Sequence, residues 1–405
     1  MLGRPYDQYI SSDFLGPGPL PAGRKIYLIV LNYCLPAGLL HVWPLASFRI
    51  CADGGSNRLY DELPAMMPPA PEDITTGLEV LNAEKDMAQE AVTKAATAAR
   101  SEAAFGSGQV ESVPMSGICT LGQASANGGG AALAPHGHGY SSTTTGDVKD
   151  SDPHGPSGPS YQVKHHERSA AGLGLHTDIS TLLRLAYLPD VVLGDLDSLR
   201  PDVRQYYVQH GVPFMDMSYD QDTNDLAKAI SLIEERFIRT DLDHSPDRHQ
   251  ILVLGALGGR LDHTLANLNA LHMFSHLNIT LWGDGNLARL VRPGKALITP
   301  DERFEGPTCG LIPIAGPVTA TSTGLKWNVA STQLRVGGLV SSSNMLTGTA
   351  VEISCDGPLL WSTEVHMEPR PDLRTLWART AAAAAAAHAR EEQQCHHQQQ
   401  VLQLH

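Results

Sequence analysis

The chain has no C-x-x-C pair. Its six cysteines, Cys34, Cys51, Cys119, Cys309, Cys355 and Cys395, are scattered through 405 residues. This excludes the usual zinc spacings and the dense disulfide framework of a small secreted domain, and reads as reduced thiols in a reducing compartment. Basic charge is also scarce, 29 Lys and Arg against 43 Asp and Glu for a formal net charge of −14, so the clustered positive footprint of a nucleic-acid binder is missing. Uninterrupted apolar runs of membrane-spanning length are absent too. The richest early one, Ile26 to Leu45, is broken by Asn32, Pro36, His41 and Pro44 and falls short of the ~20 residues of a membrane span. No basic segment followed by an apolar run opens the chain, and Asp7 and Asp13 fit poorly in an Arg-rich transit peptide. The expectation is a cytoplasmic protein with neither membrane nor nucleic acid as partner. Finally, neither G-x-G-x-x-G nor G-x-x-x-x-G-K-[ST] occurs, which argues against the usual dinucleotide fold and the usual phosphate loop.

What is present is an alternation of apolar β-type runs and helical patterns. Ile26–Leu31 and Phe48–Ala52 read as strands, the second leading through Asp53-Gly54-Gly55-Ser56 into a helix start at Asn57–Leu63. From about 64 to 182 the pattern stops. Pro-Pro-Ala-Pro, a Gly triplet and a His/Gly/Ser/Thr tract cannot bury enough apolar surface to offset their ordering entropy, so this reads as a disordered insertion with one candidate helix near Ala83–Ala104. The alternation resumes with Val191–Leu193, a helix between Pro201 and Gly211, the strand Val212–Met215, the helix Leu226–Phe237, the strand Ile251–Leu254, and a helix with Leu265, Leu268 and Leu271 on one face. Strands alternating with helices imply an α/β domain, a parallel sheet covered on both faces. After Ile279–Trp282 short β-type segments separated by turn residues run to about Val365 and imply a small all-β sandwich. The expected organisation is an extension over 1–24, an α/β domain over 25–290 with its insertion, a β-sandwich over 291–367, and a disordered Ala/Gln/His-rich tail over 368–405.

Carboxylates gather after the strands. Asp195 and Asp197 follow Gly194 two residues apart, so in extended backbone they point the same way and can share a cation; the alternative is that Asp197 or Ser198 merely caps the next helix. Asp220-Gln221-Asp222-Thr223-Asn224-Asp225, with Lys228 in the following helix, is either a second cation-facing cluster or a solvated loop capped by Asn224 or Asp225. Gly258-Gly259-Arg260-Leu261-Asp262-His263 offers close backbone approach, a bidentate phosphate donor and one more carboxylate, or simply a tight turn. Their joint placement favours a site, because strand ends of an open parallel sheet lie along one edge where ligands bind. Oxygen ligands without nearby Cys or His suit magnesium.

These motifs, with Cys51-Ala52-Asp53-Gly54-Gly55-Ser56-Asn57, Thr323-Gly324-Leu325-Lys326-Trp327-Asn328 and Val340-Ser341-Ser342-Ser343-Asn344, occur in the order seen in thiamine pyrophosphokinases. The resemblance covers Lys25–Glu62 and Leu185–Val365. It implies transfer of pyrophosphate from ATP to the thiamine hydroxyl, giving thiamine diphosphate and AMP, in a homodimer whose sites lie between the catalytic domain of one subunit and the β domain of the other. It further implies that Asp195, Asp197 and Asp225 hold magnesium. Asp222 and Asp262 would support the metal or the triphosphate, with Arg260 and Lys228 as phosphate contacts. Asp53, Gly54, Gly55, Ser198, Gln221 and Gly259 would border the nucleotide. Trp327, Ser341, Ser343 and Asn344 would receive thiamine, whose cationic rings call for an aromatic face; the plain alternative for Trp327 is a core residue of the sandwich. The long insertion and Asn224, where the family often has Thr, are departures from that pattern. Two rival readings use the same residues: a magnesium-dependent nucleotide phosphohydrolase, and a thiamine-binding protein without turnover.

Overall fold

The computed structural model describes residues 5–66, 179–242, 246–367, 369–370, 375–383 and 386. The candidate helix near Ala83–Ala104 and nearly all of the expected insertion lie outside them. Fifteen strands are described: β1 (Gln8–Ser11), β2 (Lys25–Val30), β3 (Ala46–Ala52), β4 (Val191–Gly194), β5 (Phe214–Asp216), β6 (His249–Leu254), β7 (Ile279–Gly283), β8 (Asn286–Val291), β9 (Gly294–Thr299), β10 (Glu305–Ile312), β11 (Val318–Thr323), β12 (Thr332–Leu334), β13 (Ser341–Met345), β14 (Val351–Cys355) and β15 (Leu359–Val365). Ten of them form one sheet in the order β13-β10-β15-β8-β7-β6-β2-β3-β4-β5. Its β7-to-β5 end is parallel throughout and its β13-to-β8 end antiparallel. The join is the antiparallel β7–β8 pair. A second sheet, β1-β9-β14-β11-β12, packs on the antiparallel end.

The parallel part is apolar on both faces, as a sheet covered by crossover helices must be. In β2 the side chains alternate: Ile26, Leu28 and Val30 join one core cluster with Leu59, Leu63, Leu183 and Val203 from helices Gly55–Met66, Ile179–Ala186 and Pro201–Gln209. Tyr27 and Ile29 join the other, with Leu226, Ile230 and Ile233 from helix Asp225–Ile233 and Leu271 from helix Leu261–Met273. The third cluster fills the sandwich, from Ile10 through Ile298, Leu311 and Ile353 to Trp361. Gly55 lets the helix after β3 lie against β2, since a β-carbon there would overlap the Val30 carbonyl oxygen.

Five sequence expectations change. Residues 8–11, read as part of a separate extension, are strand β1, paired in parallel with β9 of the sandwich sheet. Residues 64–66 and 179–182, given to the insertion, are helical. Residues 375–383, given to the disordered tail, are helical as well, and Leu376 and Trp377 are buried. Leu265, read on one helix face with Leu268 and Leu271, is 55% exposed. The helix expected over Leu226–Phe237 is α-helical over Asp225–Ile233 and continues through Glu234–Ile238 as a wider π-type turn.

Candidate active site

Loops leaving β2, β3, β4, β5 and β6 surround one cleft of about 730 Å³ at the carboxyl edge of the parallel strands. Asp53, Gly54, Asp195, Asp197, Ser198, Gln221, Asp225, Lys228, Gly259 and Arg260 line it. Gly55, Asp222, Asp262, Trp327, Ser341, Ser343 and Asn344 are not on its wall.

Asp53 follows β3 at φ 41° and is buried. One carboxylate oxygen, Oδ1, has no hydrogen-bond partner. Asp195 and Asp197 do not reach the cleft by the extended geometry read from their spacing. Leu196 between them is left-handed at φ 62°, and the Asp197 amide turns back to Asp195 Oδ1 at 3.4 Å. The turn still brings them together: carboxylate oxygens of Asp53, Asp195 and Asp197 lie within 4.8 Å of one another. This cluster differs from the metal set the resemblance implied, because Asp53 joins the pair in place of Asp225. Asp225 stands just behind; a β-carbon on Gly194 would lie 3.0 Å from both its Oδ1 and the Asp53 β-carbon.

Such crowding leaves an electrostatic mark. Burial raises the Asp53 pKa, and burial followed by the charge of Asp195 raises that of Asp225. Lys228, almost fully buried, sets its Nζ 3.4 Å from Asp225 Oδ1 and offsets part of that repulsion. The capping alternative holds at one residue, for Asn224 Oδ1 accepts from the Ala227 amide at 2.8 Å. Because Asn224 takes the cap, Asp225 one residue on remains available to the cleft. Asp220 folds its loop by accepting from the amides of Asp222 and Thr223 and from the Thr223 hydroxyl, which lowers its pKa and leaves Asp222 exposed. Asp262 forks onto Arg260, Nη2 to Oδ2 at 2.5 Å and Nε to Oδ1 at 3.1 Å, so it positions the guanidinium.

The Trp327 region is arranged differently. Asn344 is buried, and its amide is spent on the chain: Oδ1 accepts from the Trp327 amide at 3.1 Å, while Nδ2 donates to the Trp327 carbonyl at 2.8 Å and to Ser341 Oγ at 2.9 Å. Asn344 therefore holds Trp327 where a ligand contact was expected. The Trp327 side chain is not in the sandwich core. The residue is 54% exposed, and Lys326 Nζ lies 4.6 Å from its ring centroid.

Four polar side chains of the cleft lie outside the motifs that the sequence reading used: Asn32, Tyr33, Arg58 and Asn267. Asn32 and Tyr33 follow β2 on the same edge as the aspartates, and that placement was the available signal. Arg58 donates to Asn32 Oδ1 at 3.2 Å, and Asn57 ties the 195–200 loop in place through Ser198 O at 2.8 Å and the Arg200 amide at 3.1 Å.

A parallel sheet edge crowded with unneutralised carboxylates, joined to a β-sandwich, defines a two-part α/β-plus-β protein whose site suits a cation and phosphates. Two family models match it in that order: "Thiamin pyrophosphokinase, catalytic domain" over residues 175–282 and "Thiamin pyrophosphokinase, vitamin B1 binding domain" over 295–360. Thiamine pyrophosphokinase 2 of Arabidopsis thaliana is 30% identical over 357 residues, 88% of this chain and 92% of its own. Thiamine pyrophosphokinase 1 of Oryza sativa subsp. japonica is 42% identical over 182 residues, 44% of this chain and 67% of its own. The chain belongs to the thiamine pyrophosphokinase family. Its fold is shared by the thiamin pyrophosphokinase from Candida albicans, with a TM-score of 0.52 at 19% identity over 90% of this chain and 95% of that one. The yeast enzyme gives a TM-score of 0.53 at 19% identity over 90% and 93%.

Proposed function

We infer that this chain acts as a thiamine pyrophosphokinase, with the carboxyl-edge cleft as the place of transfer. The observation that carries the placement is the Asp53–Asp195–Asp197 cluster, three carboxylates within 4.8 Å with a buried, unpartnered oxygen on Asp53. Clustered hard oxygen donors fit magnesium, which would be held by Asp195 and Asp197, with Asp53 beside them and Asp225 behind. When bound, the ion supplies neutralisation of phosphate charge.

The chain's own groups do the rest. Lys228 and Arg260 are placed to meet phosphate oxygens, and Asp262 keeps the Arg260 fork oriented. The thiamine hydroxyl attacks the β-phosphorus of ATP, the bond from that phosphorus to the oxygen bridging it to the α-phosphorus breaks, and AMP leaves with that oxygen while the hydroxyl proton is lost to the medium. Positioning and charge stabilisation dominate such chemistry. Trp327 offers thiamine its exposed face and Asn344 fixes it. Trp327 is absent from the wall of the cleft, which supports a site completed by a second copy, as expected of a homodimer. A cytoplasmic address is part of this reading: Cys34, Cys51, Cys309 and Cys355 are free thiols. Among the described residues no helix is long and apolar enough to cross a membrane.

Incubation of the purified protein with thiamine, ATP and magnesium should release AMP and thiamine diphosphate in equal amounts. Inorganic phosphate without AMP would favour the phosphohydrolase, and binding of thiamine without any product would favour the non-catalytic protein.

A further inference from the structure

The parallel strands leave β2 in two directions, β3, β4 and β5 to one side and β6 and β7 to the other. The reversal falls between β2 and β6, and at such a point the loops part and open a crevice for a ligand. Tyr33 stands there, three residues beyond the end of β2, in a segment held to β6 by the Leu31 amide donating to Leu254 O at 3.0 Å.

Across the crevice, Gly258 and Gly259 adopt φ 94° and 67°. A β-carbon on Gly258 would come within 2.6 Å of Tyr33 Cε1, and one on Gly259 within 2.5 Å of Cε2. Two successive residues thus touch opposite edges of one ring, so the phenol lies across the bare backbone of the turn. Any side chain at these positions would push it away. Among the lining residues only Tyr33 and His263 carry aromatic rings. The carboxylates, Lys228 and Arg260 account for the phosphate end of a nucleotide. What remains of ATP is its ribose and a planar base, for which an aromatic ring offers a stacking face, and the amides of Asn32 and Asn267 share the wall with that ring.

We propose that Tyr33 stacks on the nucleobase of the nucleotide donor and sets the preference of the cleft for a purine over a pyrimidine triphosphate. This rests on the cleft being the nucleotide site inferred above. Aromatic stacking favours the larger purine surface and needs no fixed hydrogen-bond pattern.

The test uses the full chain, with Tyr33→Leu, Tyr33→Gln and Tyr33→Phe, assayed with ATP and CTP at saturating thiamine and magnesium. Tyr33→Leu and Tyr33→Gln should raise the KM for ATP about tenfold or more, lower the ATP-to-CTP ratio of kcat/KM, and leave kcat and the thiamine KM within about twofold. Tyr33→Phe should keep the wild-type ratio. Calorimetric titration with magnesium–ATP should show the same ranking in Kd without turnover. An unchanged ATP KM and base preference in both truncating variants overturns the proposal, as does a rise confined to the thiamine KM. A wild-type enzyme indifferent to the base overturns it too. Should the wild type bind ATP yet form no AMP with thiamine, the pyrophosphokinase reading fails, and the calorimetric ranking still decides the role of Tyr33.

Discussion

Strands β2 and β6 lie side by side, and polar residues gather at both ends of the pair. At the amino ends the charges are matched. Lys25 Nζ meets Asp241 Oδ2 at 2.8 Å, His249 Nε2 lies 3.3 Å from the same oxygen, and the Tyr27 hydroxyl is 3.0 Å from His249 Nδ1. At the carboxyl ends, Asp53, Asp195, Asp197 and Asp225 share one cleft, with Lys228 paired to Asp225 at 3.4 Å. A folded chain holds carboxylates this close together, Asp53 of them buried, only against an energetic cost, and the matched end shows that this sheet can avoid it. Under the proposed function the difference reads as stability at one edge and ligand binding at the other.

The sharpest way to break the comparison is to remove charge at each end in turn. Asp197→Asn should lower turnover by at least about a hundredfold. Relief of repulsion should meanwhile leave the Tm without magnesium equal to or above that of wild type. Near-normal turnover would remove Asp197 from the site. At the matched end Asp241→Asn should do the opposite: kcat/KM near wild type, with a loss of about 2 kcal/mol in urea unfolding, because Lys25 and His249 lose their common partner. Reduced activity at unchanged stability would reverse the assignment of the two edges.

Smaller effects refine it. Trp327→Ala should raise the thiamine KM by a factor equivalent to about 1–2 kcal/mol, with the ATP KM little changed. Mixing it with Asp197→Asn should restore part of the activity through heterodimers in which one composite site is wholly wild type. Confirmed subunit exchange without recovery would place the site within one chain. The smallest effect concerns pH. Burial depresses the His249 pKa below its ordinary 6.5, against the opposing pull of Asp241, so the folded state favours the neutral ring. That contribution is complete above about pH 6.5 and is lost as the pH falls through the folded-state value. His249→Gln should therefore flatten the decline of Tm between pH 7 and pH 5; an unchanged slope would show that other groups carry it.

The sheet edge was legible in the sequence because strand ends announce themselves: an apolar run stops, and Asp or Gly follows. The Asp53, Asp195 and Gly258 loops were found that way. The rule as applied looked for charge or glycine, so Asn32 and Tyr33, which follow β2 on the same edge, were passed over although their placement was a signal. Backbone conformation was not legible either. Spacing alone suggested that Asp195 and Asp197 align through extended chain, whereas a left-handed Leu196 aligns them. Strand β1 escaped because four residues, Gln-Tyr-Ile-Ser, acquire their meaning only from β9, with Gln8 opposite Ala296. The helix at 375–383 escaped because an alanine-rich stretch looks the same whether or not a Leu and a Trp precede it to anchor it. Asn344 looked like a ligand contact because a buried clasp on Trp327 and a substrate clasp use the same amide.

The ten-stranded sheet runs without interruption from the α/β layer into the sandwich, through the β7–β8 pair and on to β15. Near that join Arg289 on β8 pairs with Glu305 on β10 at 3.2 Å, and Ser12 bridges both. Mechanically this sheet is a single beam, with the β7–β8 pair joining its parallel and antiparallel parts by continuous hydrogen bonding. The gap between the two family matches, 282 to 295, is therefore a poor place to cut. Excision there would strip β8 from β15 and leave a bare strand edge on each fragment, ready to pair with whatever chain it meets next.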